Sequence, residues 1–247
     1  MMGTLTGGIA HEFNNFLTPI TGYADLIMAD ADPGSEIYDN AMEISEAAQK
    51  AQEVVKQISS MSRKNVETVY DAVSVEGLLH RTRKLVETNC PKNVELKEEN
   101  ELSGECVLGN ATQLQQVLLN ICINGIHAGK LTIRGSVVPR SELAALFPEE
   151  KISEEWSSYV CLSVTDTGCG MDKETMQHIF EPFFTTKKTG EGTGLGLALA
   201  DQIIRTHRGR IRAESTIGRG TTFYVYLPVL EQQQEREQLQ WGVDSKL

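Results

Sequence analysis

One short segment of the sequence combines a nucleophile, a carboxylate and an amide on a predicted helix. Residues 7–23 read GGIAHEFNNFLTPITGY, and His11, Glu12 and Asn15 carry the chemistry of this segment. His11 and Asn15 are four residues apart, so their side chains share one face of the helix. Neutral imidazole is a nucleophile near pH 7, and the carboxylate of Glu12 can hold or accept an imidazole proton. A histidine beside a glutamate is also ordinary helix surface, so the rest of the sequence must decide between the two interpretations.

Two asparagines form a second polar group, on a helix predicted over residues 110–128 with a cap at Asn110. Asn120 and Asn124 are again four residues apart, and most of their neighbours are apolar. Buried amides need hydrogen-bond partners. An amide oxygen also suits Mg²⁺, which prefers hard oxygen ligands. Two interpretations are open: a metal and phosphate site, or hydrogen bonds between the helix and a loop.

A third group follows a predicted strand. The strand over residues 159–166 ends at Asp166, which is followed by Gly168 and Gly170. A carboxylate at the end of a buried strand can accept a hydrogen bond from an exocyclic amine, such as that of adenine. The two glycines allow the backbone to approach a flat ring closely.

Two further segments favour a polyphosphate. Residues 180–187, FEPFFTTK, are interpreted as a mobile lid hinged at its phenylalanines, with Lys187 as a point charge for phosphate. Residues 190–197, GEGTGLGL, lead into a predicted helix. The N–H groups and dipole at a helix N-terminus attract anions. The candidate ligand-binding residues in this run are Gly192, Gly194, Leu195 and Gly196. A glycine-rich run alone is a weak indication, but the order of strand, lid and helix is specific.

Two long helices must position the His11 segment. The periodicity predicts that the first helix buries an apolar stripe, bends at Pro19 and ends at the turn over residues 31–34. The stripe comprises Ile9, Phe13, Phe16, Ile20, Ala24 and Ile27. The second helix, ending near Ser62, has a seam of coiled-coil type at Ala41, Ile44, Ala48, Ala51, Val55 and Ile58. Such a hairpin is marginal alone, so we expect a dimeric four-helix bundle; the alternative is packing on the rest of the same chain.

A mixed α/β region is predicted after a polar linker at residues 63–69. Its predicted helices cover residues 75–87, 110–128 and 195–205, and its strands cover residues 94–97, 106–108, 130–138, 159–166, 211–215 and 222–227. We expect a small peripheral helix in the acidic insertion over residues 139–158. The Gln/Glu-rich segment from residue 231 onwards reads as a frayed tail.

Composition and charge exclude several classes of protein. A formal net charge of −11, with no concentrated basic patch, argues against a nucleic-acid groove. No segment approaches the roughly 18 uninterrupted apolar residues of a membrane span, and no basic-then-apolar leader precedes the first helix. The five cysteines are scattered without metal-ligand spacing, which favours reduced thiols and a cytoplasmic location over disulfides or zinc.

In combination, the segments HEFNNFLTP, NICIN, DTGCGM, FEPFFTTK and GTGLGLA resemble those of two-component sensor histidine kinases, and the first is similar to that of nitrogen-regulation and hybrid kinases. The resemblance implies an α+β fold in two domains. Residues 1–66 would be a dimerising helical hairpin that carries the phosphoacceptor. Residues 71–229 would be an ATP-binding α/β sandwich of Bergerat type, and residues 230–247 would be a tail. The chain begins ten residues before His11, so we expect a core cut from a longer protein, whose membrane attachment is open.

The resemblance also implies roles for individual residues. ATP and Mg²⁺ would be used to phosphorylate His11, with Glu12 as its acid/base partner. The phosphate would pass to an aspartate on a response-regulator receiver domain. Asn15 would orient the water that removes phosphate from that receiver. Asn124 would ligate Mg²⁺ with Asn120 nearby, and Asp166 would read adenine.

Departures from the family pattern leave two rival functions open. The family often has Ala-Arg-Asp-Ala after the position of Asn124, whereas this chain has Gly125 to Ala128 with His127 between them. His127 would either replace a cation near phosphate or be exposed. Gly125 should loosen the helix end by roughly 1 kcal/mol relative to Ala. One rival is an ATPase of the same fold that drives conformational change, although such proteins commonly have Glu where Asn120 stands. The other is a nucleotide-binding signalling scaffold that acts mainly as a receiver phosphatase.

Overall fold

The computed structural model describes residues 3–62, 69–91, 94–126, 129–187 and 192–231. Within those ranges, the side chains of residues 3–12, 53, 54, 56–62 and 89 are outside the description. The predicted linker and tail, and His127, therefore lie wholly or almost wholly outside it. The chain divides into two compact units, residues 1–67 and 68–247, and each is described by itself.

The first unit is a hairpin of two long helices. Helix α1 spans Gly3–Asp30 and helix α2 spans Glu36–Ser62, which confirms the predicted break between them. The second helix begins after Ser35, whose Oγ accepts a hydrogen bond from the N–H of Tyr38 at 3.2 Å. A hydroxyl in this position satisfies one of the unpaired N–H groups of the first turn.

Small side chains hold the two helices together. Ala24 of α1 and Ala41, Ala48 and Val55 of α2 are buried, and so is Ser45, which donates a hydrogen bond to Asp25 Oδ1 at 2.9 Å. The predicted stripe is wrong for a single hairpin: of its described members only Ala24 is buried, and Ile44 of the predicted α2 seam is exposed as well. Alanine seams let helices approach closely, so the bulky side chains are left on another face.

That other face of α1 is a second apolar seam. Its members follow one another at steps of three and four residues and are all exposed in the single chain: Phe13, Phe16, Ile20, Tyr23 and Ile27. Phe16 and Tyr23 are each 69% exposed. The spacing that predicted a buried stripe is thus present, but no described residue of the hairpin covers it.

The second unit is built around a mixed sheet. Its elements in chain order are β1 (Asp71–Ser74), α3 (Val75–Asn89), β2 (Glu95–Asn100), β3 (Cys106–Gly109), α4 (Ala111–Gly125), β4 (Lys130–Pro139), α5 (Arg140–Leu146), β5 (Ser158–Asp166), α6 (Lys173–His178), α7 (Gly196–Thr206), β6 (Arg210–Thr216) and β7 (Gly220–Pro228). The five-stranded sheet has the order β2-β4-β5-β7-β6, in which only β2 and β4 pair in parallel. Strands β1 and β3 form a separate antiparallel pair.

The core lies between one sheet face and helices α3, α4 and α7. Alternate residues along the central strands are buried there, and each helix contributes an apolar stripe. Examples are Leu78 and Leu79 of α3, Leu118 and Ile121 of α4, Ile204 of α7, Ile133 of β4, Leu162 of β5 and Val225 of β7. The predicted helices and strands of this region are confirmed to within a few residues. Asn110 caps α4 as predicted, accepting from the N–H of Gln113 at 3.0 Å.

The acidic insertion is not peripheral, contrary to expectation. It contains the predicted short helix, α5, but Leu143, Ile152 and Trp156 are buried against Tyr159 and Tyr226 on the second face of the sheet. The apolar side chains from which the helix is predicted are spaced too irregularly to show which surface they cover; they are Leu143, Leu146, Phe147 and Trp156.

Two short elements were not predicted. Strand β1 has a single buried residue, Val73, and therefore no alternating pattern. Helix α6 has no buried residue. Its first turn is stabilised by an N-cap, in which Asp172 Oδ1 accepts a hydrogen bond from the N–H of Thr175 at 2.7 Å. None of the helices in the described ranges is both long and apolar enough to cross a membrane.

Candidate active site

A cleft of about 370 Å³ brings together residues from segments that are far apart in the sequence. Its lining includes five of the predicted ligand-binding residues, namely Asn124, Asp166, Gly168, Gly170 and Lys187. The remaining wall is largely apolar and includes Met171, Ile179, Phe184, Leu197 and Phe223. An apolar cleft with a few convergent polar groups is the usual form of a small-molecule site.

Asp166 is held in one orientation by backbone hydrogen bonds. Its Oδ1 accepts from the N–H of Gly168 at 2.8 Å and from the N–H of Thr221 at 3.3 Å. Within the described part of the chain, Oδ2 accepts no hydrogen bond. Burial raises the pKa of this carboxyl above its ordinary value, and the two backbone hydrogen bonds oppose that shift. One oxygen is therefore fixed, and the other is available to a donor in the cleft.

Gly125 lies where α4 passes closest to Asp166. A Cβ at Gly125 would lie 2.8 Å from Leu131 Cδ1 and 3.0 Å from Asp166 Cβ. Helix α4 ends at Gly125, three residues before the predicted end at residue 128 and at the glycine that is expected to loosen it. The structure adds a second reason for glycine: any larger side chain would press on the residue that orients the carboxylate.

Gly170 permits a close approach of the backbone, but to another part of the protein. Its φ is +65°, and a Cβ there would lie 2.1 Å from the carbonyl oxygen of Thr216 in the β6–β7 turn. Few residues other than glycine adopt this φ, and none with a Cβ fits this space. The turn between β6 and β7 thus packs directly against the loop that follows Asp166.

The two asparagines of α4 have different surroundings. Asn120 Nδ2 donates to the carbonyl oxygen of Gly196 at 3.1 Å, which joins α4 to the first turn of α7. Its Oδ1 accepts no hydrogen bond within the described residues. Asn124 is exposed and lines the cleft. The interpretation as helix-to-loop hydrogen bonds therefore applies to the amide nitrogen of Asn120. Neither amide oxygen accepts a hydrogen bond from a described residue, and of the two asparagines only Asn124 lines the cleft.

These oxygens suit Mg²⁺ bound together with a phosphate. In the described residues no group of three or more His, Cys, Asp or Glu side chains could hold a metal. Mg²⁺ keeps several waters and takes one or two protein oxygens plus phosphate oxygens, so it needs no such cage. The donor set therefore fits Mg²⁺.

The start of α7 lies at the same cleft. The helix begins at Gly196 after the buried Leu195, has no acidic residue in its first turn, and presents Leu197 to the cleft. The segment before it is tied to the predicted lid, because the N–H of Phe183 donates to the carbonyl oxygen of Gly194 at 2.9 Å. Lys187 is exposed and lines the cleft, and Gly192 begins the next described range. A cation and an acid-free helix N-terminus make this end of the cleft suitable for an anion.

The His11 segment belongs to the first unit. His11 and Glu12 lie in α1, and their side chains are outside the description. Asn15 is exposed, one helical turn after His11. All residues of the cleft belong to the second unit.

Sequence reasoning missed Thr221 of strand β7, whose N–H donates a hydrogen bond to Asp166 Oδ1. Fifty-five residues separate the two in the chain. The only available signal was the position of Thr221 directly after Gly218-Arg219-Gly220, a turn at the entrance of a predicted strand.

Comparison with known proteins bears on these observations. Residues 109–231 match the family described as Histidine kinase-, DNA gyrase B-, and HSP90-like ATPase. The chain is similar to Sensor kinase CckA of Brucella abortus (strain 2308), with 34% identity covering 93% of this chain and 24% of that protein. It is also similar to Signal transduction histidine-protein kinase AtoS of Escherichia coli (strain K12), with 34% identity over 92% of this chain and 35% of that protein. The chain thus spans between 24% and 35% of the length of these two relatives.

Solved structures show the same fold. Full-length ShkA in complex with AMPPNP superimposes with a TM-score of 0.74 at 21% identity, over 93% of this chain and 46% of that one. The catalytic domain of histidine kinase ThkA gives 0.50 at 28% identity, over 65% of this chain and 95% of that domain. Together with the family match, these results confirm a mixed α+β fold with an ATPase sheet of Bergerat type in the second unit.

Proposed function

We propose that this chain, a histidine kinase catalytic core, phosphorylates itself on His11 with ATP. Its residues 109–231 belong to the Histidine kinase-, DNA gyrase B-, and HSP90-like ATPase family. The phosphate would then pass to an aspartate of a response-regulator receiver domain. The observation that supports this proposal most directly is the orientation of Asp166, with Oδ1 bound to two backbone N–H groups and Oδ2 available in an apolar cleft.

ATP would lie along the cleft. Oδ2 of Asp166 would accept a hydrogen bond from the exocyclic amine of adenine, while Met171 and Phe184 contact the base. The phosphates would point toward Lys187 and the N-terminus of α7, where a cation and backbone N–H groups favour negative charge. Asn124 would hold Mg²⁺ with Asn120 nearby, and the bound ion would neutralise phosphate charge.

The chemistry on the hairpin follows from ordinary histidine reactivity. Nε2 of neutral His11 would form a bond to the γ-phosphorus as the bond to the β–γ bridging oxygen breaks and ADP leaves. Glu12 would hold the proton on Nδ1 and then accept it, which leaves a neutral imidazole ring bearing the anionic phosphoryl group. In the second transfer, a carboxylate oxygen of the receiver takes the phosphoryl group, and His11 regains a proton.

The domain boundaries follow the same proposal. Residues 1–66 would form the dimerisation and phosphoacceptor domain, residues 71–229 the ATP-binding domain and residues 230–247 a tail. The exposed seam of α1 supports a homodimer, since a second hairpin would bury it in a four-helix bundle. All five cysteines are free thiols, which supports the proposed cytoplasmic location.

One incubation tests the proposal. With γ-labelled ATP, the wild-type chain should acquire label that is stable in alkali and lost in acid, as a phosphoramidate is. His11→Ala should remove this label and leave ATP affinity by calorimetry unchanged, because no cleft residue belongs to the hairpin. Acid-stable label on the variant would contradict the assignment of His11.

A further inference from the structure

The turn between β6 and β7 is bonded to the loop that follows Asp166. The N–H of Gly218 donates to the carbonyl oxygen of Cys169 at 2.7 Å, and the N–H of Met171 donates to Ser215 Oγ at 2.8 Å. Together with the close packing at Gly170, these two hydrogen bonds hold the loop that follows Asp166 against strand β6 and the β6–β7 turn. Ser215 supplies the only side chain among these bonds.

The hydroxyl of Ser215 also organises the start of β7. Ser215 and Thr221 are directly opposite each other in the antiparallel register, and their hydroxyl oxygens are 2.9 Å apart. Ser215 Oγ also lies 3.0 Å from the carbonyl oxygen of Gly220, to which it donates. A hydroxyl has one proton and two lone pairs. Ser215 therefore donates to Gly220 and accepts from both Met171 and Thr221, which uses all of its hydrogen-bonding capacity.

These bonds converge on the two groups that hold Asp166. Gly168, three residues before Met171, supplies one N–H to Asp166 Oδ1, and Thr221 supplies the other. One hydroxyl therefore fixes both backbone segments that orient the carboxylate. Ser215 is half-buried and does not line the cleft, so it can act on a ligand only through those segments.

We propose that Ser215 is a positioning residue for adenine recognition, which keeps Asp166 Oδ2 turned toward the exocyclic amine of the base. The inference rests on the proposed function, since it takes Asp166 as the group that reads adenine. Loss of the Ser215 hydroxyl lets the two N–H donors shift and the carboxylate turn. The preference for adenine over other bases should then fall. The contribution of the phosphates to the binding affinity should change less, because the phosphates would bind at the other end of the cleft.

The test compares two nucleotides on the full chain. Calorimetry with MgADP and MgIDP measures discrimination, because hypoxanthine has a carbonyl oxygen where adenine has its amine and repels a carboxylate. ADP and IDP also avoid phosphorylation of the protein. In Ser215→Ala, the ratio of IDP to ADP dissociation constants should fall roughly tenfold, the scale of one hydrogen bond to a charged group. Ser215→Thr, which retains the hydroxyl, should restore the ratio to within about twofold.

A neighbouring hydroxyl provides the matched control. Thr222 follows Thr221 in β7, but its Oγ1 pairs with Thr165 Oγ1 at 3.0 Å and it does not line the cleft. Thr222→Val breaks a hydroxyl–hydroxyl hydrogen bond in the same sheet, so it should leave the ratio of IDP to ADP dissociation constants unchanged. If Ser215→Ala does not fold, as judged by circular dichroism, Ser215→Cys keeps the side-chain size with a weaker acceptor and should give an intermediate ratio.

The outcomes separate this inference from the function on which it rests. If the wild-type chain binds ADP and IDP equally, Asp166 does not read adenine, and both proposals are overturned. If the wild-type chain discriminates and the ratio persists in Ser215→Ala, only the role of Ser215 is overturned. Equal weakening of both nucleotides would show a general structural role and would also overturn it.

Discussion

The two units of this chain keep their large apolar side chains in different places. In the second unit, residues such as Leu118, Ile133 and Tyr159 are buried to 2% exposure or less. In the hairpin, alanines occupy the seam between the helices, and the described phenylalanines and isoleucines of α1 are exposed: Phe13, Phe16, Ile20 and Ile27. The second unit completes its core within one copy, whereas the large apolar side chains described on α1 are left exposed in the single hairpin. The candidate chemistry differs likewise, with an exposed amide, Asn15, in one unit and a half-buried carboxylate, Asp166, in the other.

The largest expected effect concerns the exposed chemistry of the hairpin. Asn15→Ala should slow release of phosphate from a phosphorylated receiver by about tenfold to a thousandfold, the scale of one positioning contact. Autophosphorylation of His11 should be spared, because no proton transfer to or from the imidazole requires an amide. Purified phospho-receiver mixed with wild-type and variant chains gives both rates. A parallel loss of both activities would make Asn15 a structural residue.

A charge on the exposed seam tests the dependence of the hairpin on a second copy. Ile20→Glu should weaken self-association by on the order of a hundredfold, because the carboxylate would be buried without a partner. Sedimentation equilibrium measures the change, and MgADP affinity should stay as in the wild type. Lys50→Gln, at an exposed position beside Glu46, is the matched change of one negative unit of charge and should have little effect. Unaltered association in Ile20→Glu would show that this face is not the dimer contact.

The enclosed carboxylate should respond to neutralisation and to pH. Asp166→Asn should weaken MgADP binding by roughly tenfold to a hundredfold, since a hydrogen bond to a charged acceptor is lost. The wild-type affinity should also fall on acidification. Because burial raises the pKa of Asp166, this fall should begin at a higher pH than for an ordinary aspartate and be absent in the variant. Calorimetry across pH on both proteins measures it, and superimposable profiles would show that Asp166 is only a strand-end cap.

A pair of glycines gives the smallest contrast. Gly22 lies in α1 with nothing within 4 Å of the position of a Cβ, so Gly22→Ala should stabilise the hairpin by up to about 1 kcal/mol. At Gly125 the gain in helix propensity is opposed by the contact with Asp166. Gly125→Ala should therefore weaken MgADP binding severalfold without raising the melting temperature. A stabilised Gly125→Ala variant with full affinity would show that α4 can move away from β5.

Local signals predicted most of the fold, and contacts distant in sequence explain what was missed. Asn110 was identified as a cap because a polar residue precedes an apolar period, and Asp166 because a carboxylate ends an apolar strand. The stripe on α1 follows the predicted spacing but is exposed in the single hairpin, since periodicity shows which side chains share a face but not what covers that face. The bonds of Ser215 to Met171 and of Thr221 to Asp166 join residues 44 and 55 positions apart. No pattern within one segment encodes such contacts.

The hydrogen bond between Ser45 and Asp25 sets a rotational reference for α1. Alanine side chains are small and alike, so a seam of alanines does little to fix the rotation of α1 about its own axis. The buried hydroxyl of Ser45 donates a hydrogen bond to Asp25, and this bond forms at only one such rotation. His11 lies fourteen residues, or two heptads, before Asp25, which brings it back to within roughly 40° of the same direction around the helix axis. Each residue inserted between them would turn the backbone of residue 11 by about 100° around the helix axis relative to Asp25, so the phase of this helix, rather than its length alone, determines the position of that residue.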